Sequence, residues 1–319
     1  QKKKVMILKL NAKLETTLDR LSFGDESISD DLKVTKTLPE GVKSKELYRD
    51  IIRIAWPSFV ELLLTQLVSM ADMMMVGSIG GEANPLLGVD ALTAVGLTTQ
   101  PKFLIMTAFI AMNTGVTALI ARYKGQGDKE KANLVLRQGM MFTFLSTLIL
   151  SVLGVIFSRH MVIFMGGKGE SIINQATVYL QIQLAGFATV ALTSTITAAL
   201  RAVGDSRTCM IYNLIANIVN VIFNWLLING HYGFPALGVA GASIATVIGQ
   251  AVAFLIALCV ILRGNGFLKL EPKKGFKPNK EMLSNMTAIG IPAAIEQLLM
   301  RVGMVIFAKT VASLSTTSY

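Results

Sequence analysis

Long apolar blocks alternate with short polar connections along this chain of 319 residues. A helix of about 20 apolar residues crosses the roughly 30 Å hydrocarbon core of a bilayer. Blocks of about that length lie at residues 56–76, 103–120, 139–157, 178–200, 209–228, 239–262 and 289–314. Lipid offers the backbone no hydrogen-bond partner, so each block must satisfy its own backbone groups as a helix. The pattern predicts an all-α, polytopic membrane protein.

Composition and charge agree with this prediction. Charged residues make up 16% of the chain, whereas soluble domains contain about 25%. The net charge of +10 would suit nucleic acid, but Lys and Arg lie in the connections that follow the second, fourth and sixth blocks. The alternate stretches 77–92, 158–171 and 229–237 hold only Arg159 and Lys168. This positive-inside asymmetry predicts a bilayer rather than nucleic acid as partner, and a cytoplasmic N-terminus.

Polar stretches divide the chain into four parts. Residues 1–50 are predicted to form a cytoplasmic tail. Residues 51–263 contain six blocks and are predicted to form an N-terminal six-helix lobe. Residues 264–285, with their Gly, Pro and Lys residues, predict a cytoplasmic linker. Residues 286–319 then predict the first helix of a second lobe.

The first and last blocks resemble each other. Ile54-Ala-Trp-Pro57-Ser-Phe-Val-Glu61 aligns with Ile289-Gly-Ile-Pro292-Ala-Ala-Ile-Glu296 at a constant offset. A matched Pro and a matched Glu at the same spacing favour an internal repeat over chance similarity. Six spans lie between the starts of the two copies, so both enter the membrane in the same direction, as parallel repeats do. We therefore expect about five more spans in a complete second lobe, and we expect this chain to be a fragment.

Two stripes of polar residues lie within the apolar blocks. The first stripe consists of Glu61, Thr65, Ser69 and Asp72, within an arc of about 80° on a helix. The second stripe consists of Asn213, Asn217, Asn220 and Asn224, within an arc of about 60°. One reading is interhelical hydrogen bonding, which stabilises helix packing. The other is the lining of a water-filled cavity or a cation path, because polar residues in lipid spans usually face the bundle interior.

Among the residues of these stripes, Asp72 is the main candidate for binding a proton or cation. It follows Pro57 by 15 residues, about 22 Å along a regular helix, which places it toward the outer half of the first block. A low dielectric disfavours the charged carboxylate, so Asp72 could bind and release a proton. A pairing charge without transport function is the alternative.

Pro57 and Glu61 each allow two readings. Pro57 is either an ordinary first-turn proline or a hinge, because a proline deeper in a helix leaves a carbonyl free and eases bending. Glu61 lies nearer the cytoplasmic end and either lines the cavity or serves the structure alone. In the last block, Glu296 and Arg301 are five residues apart and are predicted to line the same cavity from the second lobe.

Motifs for catalysis and nucleotide binding are absent from the sequence. No Gly-x4-Gly-Lys-Ser/Thr loop occurs, since Met165-Gly-Gly-Lys168-Gly fails the spacing. There is no His-Glu-x-x-His motif and no Cys-x-x-Cys motif. The sequence thus predicts no enzyme and no cofactor, and a pump of this kind must draw on an ion gradient.

Five segments resemble the multidrug and toxin extrusion (MATE) family, and most closely its DinF-like bacterial branch. They are Trp56-Pro57 with Ala71-Asp72-Met-Met-Met-Val-Gly77, Ala91-Leu-Thr-Ala-Val-Gly96-Leu, Ala121-Arg122-Tyr-Lys-Gly125-Gln-Gly127-Asp128, Leu200-Arg201-Ala-Val-Gly204-Asp205-Ser-Arg207 and Phe234-Pro235-Ala-Leu-Gly238-Val-Ala-Gly241-Ala. Each motif alone is weak, but five in the right order are strong. Together they cover about residues 50–319.

The resemblance implies two six-helix lobes around a V-shaped cleft in a bacterial inner membrane, with organic cations exchanged for protons or sodium. The family's first-span proline and aspartate match Pro57 and Asp72. Its cation site between the first and fifth spans matches Asp72, Asn220 and Asn224. Many bacterial members carry a second acidic residue where this chain has Asn224. A single carboxylate favours coupling to H⁺ at Asp72, with Na⁺ possible at the same three residues.

The resemblance also implies small organic molecules as substrates and a monomeric full-length protein. A flippase for lipid-linked precursors or polysaccharides, from the same superfamily, is the first alternative. Such a cavity would be lined by Arg and Lys for phosphate-bearing substrates, and here Lys102, expected near the outer start of the second block, is the main candidate. A membrane-embedded lipid-modifying enzyme is the second alternative, but it needs paired acidic motifs that the blocks lack.

Overall fold

The computed structural model of the protein describes residues 44–81, 84–264 and 266–314, and within these ranges the regular structure is helical. The helices are α1 (Ser44–Gly77), α2 (Pro85–Gly125), α3 (Lys129–Phe164), α4 (Glu170–Ala185), α5 (Phe187–Ala202), α6 (Ser206–Ile228), α7 (Gly238–Arg263) and α8 (Lys280–Leu314). Short 3₁₀ turns lie at His231–Gly233 and Pro272–Lys274. Most of the predicted tail, residues 1–43, lies outside the described residues, as do residues 315–319.

The helices have the lengths and hydropathy of membrane spans. Among the described residues, six helices are long and apolar enough to cross a bilayer, and the bent pair α4–α5 makes up to a seventh. Large apolar side chains on α3, such as Phe144, Leu148 and Val152, are exposed in a row at helical spacing, as expected where a helix faces lipid rather than water. The prediction of an all-α, polytopic fold is confirmed.

The fourth block is not the single helix that was expected. It is broken at Gly186, where α4 and α5 meet at a bend of 50°. A Cβ atom at Gly186 would lie 2.5 Å from Cγ1 of Val247 on α7, so a larger residue would clash with this side chain. Glycine also weakens a helix locally. Hydropathy along the chain reports neither the bend nor this contact.

The helix α2 is longer than its apolar block. It begins at Pro85, which occupies the first turn where a proline is tolerated. Lys102, expected near the outer start of this span, therefore lies in the interior of α2. Hydropathy marks only the part of a helix that is continuously apolar, and α2 continues through a more polar region before it.

The stretch between α7 and α8 is docked against the lobe. Since α8 begins at Lys280, the connection covers residues 264–279 rather than the predicted 264–285. Leu268 and Leu270 are buried in the main apolar core. The buried Gln138 of α3 donates to the carbonyl of Lys277 at 2.8 Å and accepts from the backbone N–H of Asn279 at 3.0 Å. The connection is thus packed on α3 by both apolar and polar contacts.

The main core joins α2, α3, α5, α6 and α7. Its largest fully buried side chains include Tyr212 of α6 and Ile196 of α5. A polar network crosses it, in which Asn113 donates to Ser194 at 2.8 Å and accepts from Thr195 at 2.9 Å. Because these buried groups are paired with each other, they fix how α2 and α5 pack.

Candidate cation site between α1 and α6

The two predicted stripes face each other along α1 and α6. Three side-chain hydrogen bonds join them, and in each the residue numbers differ by 152. A constant difference means that the two helices run side by side in the same direction and in one register. We call these three contacts the α1–α6 ladder: Glu61 with Asn213, Thr65 with Asn217, and Asp72 with Asn224.

We name the two ends of the ladder by the predicted orientation, with Asp72 at the outer end and Glu61 at the inner end. At the outer end, the carboxylate of Asp72 lies between two asparagines. Nδ2 of Asn224 donates to Oδ1 of Asp72 at 2.5 Å. The amide of Asn220 satisfies its hydrogen bonds best with its nitrogen toward Asp72, where it donates to both carboxylate oxygens at 3.1 Å and its oxygen accepts from the backbone N–H of Thr246 at 3.2 Å. Asn220 and Asn224 are both buried. The structure therefore brings together the three residues predicted to form the cation site.

The same site contains one unsatisfied acceptor. Oδ1 of Asn224 is buried and has no hydrogen-bond partner, which is uncommon for a buried polar atom. The ammonium of Lys102, on α2, also acts on Asp72 through space. A small cation beside Asp72 would meet the carboxylate oxygens, and it would meet amide oxygens, which hard cations prefer, only after an amide turns, because both amides now present their nitrogens to Asp72.

At the inner end, Glu61 has a different set of partners. Its Oε1 accepts from Nη2 of Arg201 at 2.8 Å and from Nδ2 of Asn213 at 2.8 Å. Oε2 of Glu61 is buried without a hydrogen-bond partner. Arg201 was not among the predicted site residues, because it lies in the last turn of α5, outside both stripes. Its position in a basic connection and its position in one of the five family-like segments were the signals available in the sequence.

The middle of the ladder is more open. Nδ2 of Asn217 donates to Oγ1 of Thr65 at 3.4 Å, a long hydrogen bond, and Thr65 and Ser69 are both exposed. These residues sit on the predicted face of α1, between the two carboxylates. Their exposure fits the predicted cavity lining, which stays a prediction.

Pro57 is an interior residue of α1. The helix begins at Ser44 and ends at Gly77, and Pro57 is buried within it. The first-turn reading is therefore wrong, and the backbone at this point lacks one helical hydrogen bond, as expected for an internal proline. The role of Pro57 as a hinge stays a prediction.

Glu296 and Arg301 are not brought to the ladder. Glu296 is exposed on α8, and the guanidinium of Arg301 lies over the ring of Phe103, 4.6 Å from its centre. Among the described residues, no hydrogen bond or ion pair joins either side chain to the stripes of α1 and α6. Their predicted contribution to a shared cavity stays a prediction.

A separate apolar cavity lies elsewhere in the described structure. It has a volume of about 600 Å³ and lies between α2, α3 and α8, with Leu104, Phe157 and Val302 among its lining residues. None of the predicted site residues lines it. The polar chemistry of this chain is therefore concentrated on the α1–α6 ladder rather than in this cavity.

The fold and the site together define a polytopic membrane protein with polar side chains between two of its spans. Its spans hold partly and fully buried polar side chains that face one another, the arrangement expected of an ion or substrate pathway in a membrane protein. The sequence model of the MatE family matches residues 57–226, more than half of the chain, and the chain belongs to this family. Family members are transporters rather than enzymes, so the enzyme alternative is excluded.

Relatives and solved structures agree with this assignment. The chain is 32% identical over 249 residues to the uncharacterized transporter YisQ of Bacillus subtilis, with 78% of this chain and 52% of YisQ covered. It is 28% identical to the probable multidrug resistance protein NorM of Thermotoga maritima, over 86% of this chain and 57% of NorM. A crystal structure of MATE in the straight conformation matches at a TM-score of 0.70 and 25% identity, over 83% of this chain and 56% of that one. The chain thus spans about half the length of the relatives it matches.

Proposed function

We propose that this chain forms the first lobe of a multidrug antiporter that exports organic, often cationic, compounds in exchange for protons bound at Asp72. The observation that carries the proposal is the carboxylate of Asp72 held between Asn220 and Asn224, beside the unsatisfied Oδ1 of Asn224. The name of the NorM relative, a probable multidrug resistance protein, supports the class of substrate.

Protonation of Asp72 changes the contacts that hold α1 against α6. The charged carboxylate accepts hydrogen bonds from two amides, and bonds to a charged group are stronger than bonds to a neutral one. The protonated carboxyl is neutral and carries a donor of its own, which the Oδ1 of Asn224 can accept. The free energy that favours the present packing of α1 therefore depends on whether the site holds a proton. Uptake from the outside rearranges α1 about Pro57 and releases substrate.

Sodium is the second candidate for the coupling ion. Its ligands would be the carboxylate of Asp72 with the amide oxygens of Asn220 and Asn224, the amide of Asn220 turning its oxygen toward the ion. Asn224 supplies no formal charge, so the site offers one negative charge to the ion, and this favours the proton. Lys102 gives little support to a phosphate-binding flippase, because Asp72 offsets its charge nearby.

The test is substrate efflux from liposomes that contain the protein, driven by an imposed proton gradient. We expect Asp72→Asn to abolish acceleration by the gradient, because the amide cannot exchange a proton near neutral pH. Asp128→Asn is the matched control: Asp128 caps α3 at a partly exposed position away from α1 and α6, and this variant should keep its coupling. Unchanged coupling in Asp72→Asn would exclude Asp72 as the proton site. Efflux that follows a sodium gradient at constant pH would instead support the sodium alternative.

We also propose that the N-terminus faces the cytoplasm of a bacterial inner membrane. The support is the charge of the connections: those after α2 and after α7 carry clusters of Lys and Arg, as cytoplasmic loops do.

A further inference from the structure

The inner end of the α1–α6 ladder joins three helices at one oxygen atom. Oε1 of Glu61 accepts from Arg201 on α5 and from Asn213 on α6, both at 2.8 Å. The side chain of Glu61 is 11% exposed. The side chain of Arg201 is 38% exposed, so the pair is only half-buried, and breaking it would leave the nearly buried carboxylate of Glu61 without its counter-charge. The cytoplasmic part of α1 is therefore tied to both α5 and α6 by an interaction that resists separation.

The two ends of the ladder differ in charge. Asp72 is hydrogen-bonded to amides, and the ammonium of Lys102 acts on it only from beyond ion-pair distance, whereas Glu61 has the guanidinium of Arg201 at 2.8 Å. Binding a proton or cation at Asp72 changes the charge of the outer contact. The inner contact keeps its own counter-charge and does not depend on what Asp72 binds.

Distance from Pro57 also separates the two ends. Glu61 follows Pro57 by four residues, about 6 Å along the helix, and Asp72 follows it by 15 residues, about 22 Å. A bend of about 10° at Pro57 would displace Glu61 by about 1 Å and Asp72 by about 4 Å. A 4 Å displacement breaks a hydrogen bond, whereas side-chain adjustment can absorb 1 Å.

We propose that Glu61, Arg201 and Asn213 form a fixed inner anchor for α1, which confines the movement controlled by Asp72 to the outer part of this helix. The inference rests on the proposed function, since that proposal makes Asp72 the group whose charge changes. Glu61 acts here as a positioning residue: it touches neither proton nor substrate, and it determines where α1 pivots.

Two pairs of introduced cysteines report the distance between α1 and α6 at the two ends of the ladder. The measured quantity is the fraction of each pair that a short thiol cross-linker joins in membranes. The inner pair is Thr65→Cys with Asn217→Cys, at positions already in side-chain contact. The outer pair is Val76→Cys with Ile228→Cys, which pack in the same apolar cluster and follow the same register. Because each pair joins α1 to α6, its yield reports the approach of the two helices at that level.

The background carries Cys209→Ala and Cys259→Ser, which removes the native thiols. Each pair is then combined with Asp72→Asn, with Glu61→Gln, and with the charge exchange Glu61→Arg/Arg201→Glu. Glu61→Gln keeps an acceptor for Asn213 and removes the ion pair. The charge exchange restores the pair with its signs reversed. Monodispersity in detergent shows which variants fold.

With Asp72→Asn, we expect the yield of the outer pair to fall severalfold and that of the inner pair to stay the same. With Glu61→Gln, the inner pair should also lose yield severalfold, and the charge exchange should recover most of it. The anchor is wrong if the cross-linking yield of the inner pair does not change with Glu61→Gln. It is also wrong if the yields of both pairs fall together in Asp72→Asn. If the cross-linking yield of the outer pair stays the same in Asp72→Asn, the proposed coupling at Asp72 is wrong instead. Failure of the anchor and failure of the proposed function therefore give different results.

Discussion

Gly249, which is not one of the candidate site residues, sets the position of Asn220. Gly249 lies in α7 against α6, and a Cβ atom added there would lie 2.8 Å from the backbone oxygen of Ala216 and 3.1 Å from Cβ of Asn220. The backbone oxygen cannot move without moving α6. The substitution Gly249→Ala should therefore push α6 away at the level of Asn220, and with it the amide that reaches Asp72.

The change in stability expected for Gly249→Ala is the sum of two opposed effects. Replacing Gly by Ala inside a helix stabilises by about 0.5–1 kcal/mol, whereas overpacking a close contact costs about 1–3 kcal/mol. Gly96→Ala is the matched control, because Gly96 is also interior to a helix and its added Cβ would meet nothing within 4 Å. We expect Gly96→Ala to stabilise and Gly249→Ala to be less stable than it by about 1–3 kcal/mol.

The native cysteines provide the assay. Cys209 is buried and Cys259 is exposed, so in a Cys259→Ser background a fluorogenic maleimide reports unfolding through Cys209 alone. Unfolding midpoints of the two glycine variants in detergent should differ by several degrees. Gly249→Ala should also lower proton-driven efflux, because Asn220 is displaced, while Gly96→Ala keeps it. Equal midpoints with normal efflux would refute the view that this contact positions Asn220.

Three further predictions concern other contacts. Gly186→Ala should destabilise the protein by about 1–3 kcal/mol, measured in the same unfolding assay, because its Cβ would lie 2.5 Å from Val247; a neutral effect would mean that the bend is not set by this contact. Gln138→Leu removes two of the hydrogen bonds between the connection 264–279 and α3, so limited proteolysis there should accelerate; an unchanged rate would assign the docking to the apolar contacts and the hydrogen bond from the backbone N–H of Lys269 to Asn133. Gln126→Cys, in the exposed α2–α3 connection, should react with an impermeant maleimide only in inverted membrane vesicles, and labelling of intact cells would reverse the proposed orientation.

Some residues of the candidate site could be predicted from the sequence pattern, and others could not. The residues of both stripes could be named from helical spacing, and the structure places Asp72 beside Asn220 and Asn224 as the resemblance implied. Arg201 and Thr246 could not be named in the same way. They come from α5 and α7, and no pattern within α1 or α6 says which neighbouring helix supplies the counter-charge or the backbone donor.

The sequence by itself determined the class of fold, the spans and the polar faces. Crossing lipid requires a certain length of apolar helix with its backbone satisfied internally, and these are local properties that can be read along the chain. The tertiary structure decided the break at Gly186, the interior position of Lys102 and the docking of residues 264–279. It also decided that Glu61 pairs with Arg201, 140 residues away. The docking and the ion pair depend on close approach between segments distant in sequence, and spacing along one helix carries no information about it. The position of Lys102 depends on where α2 begins, which hydropathy does not mark.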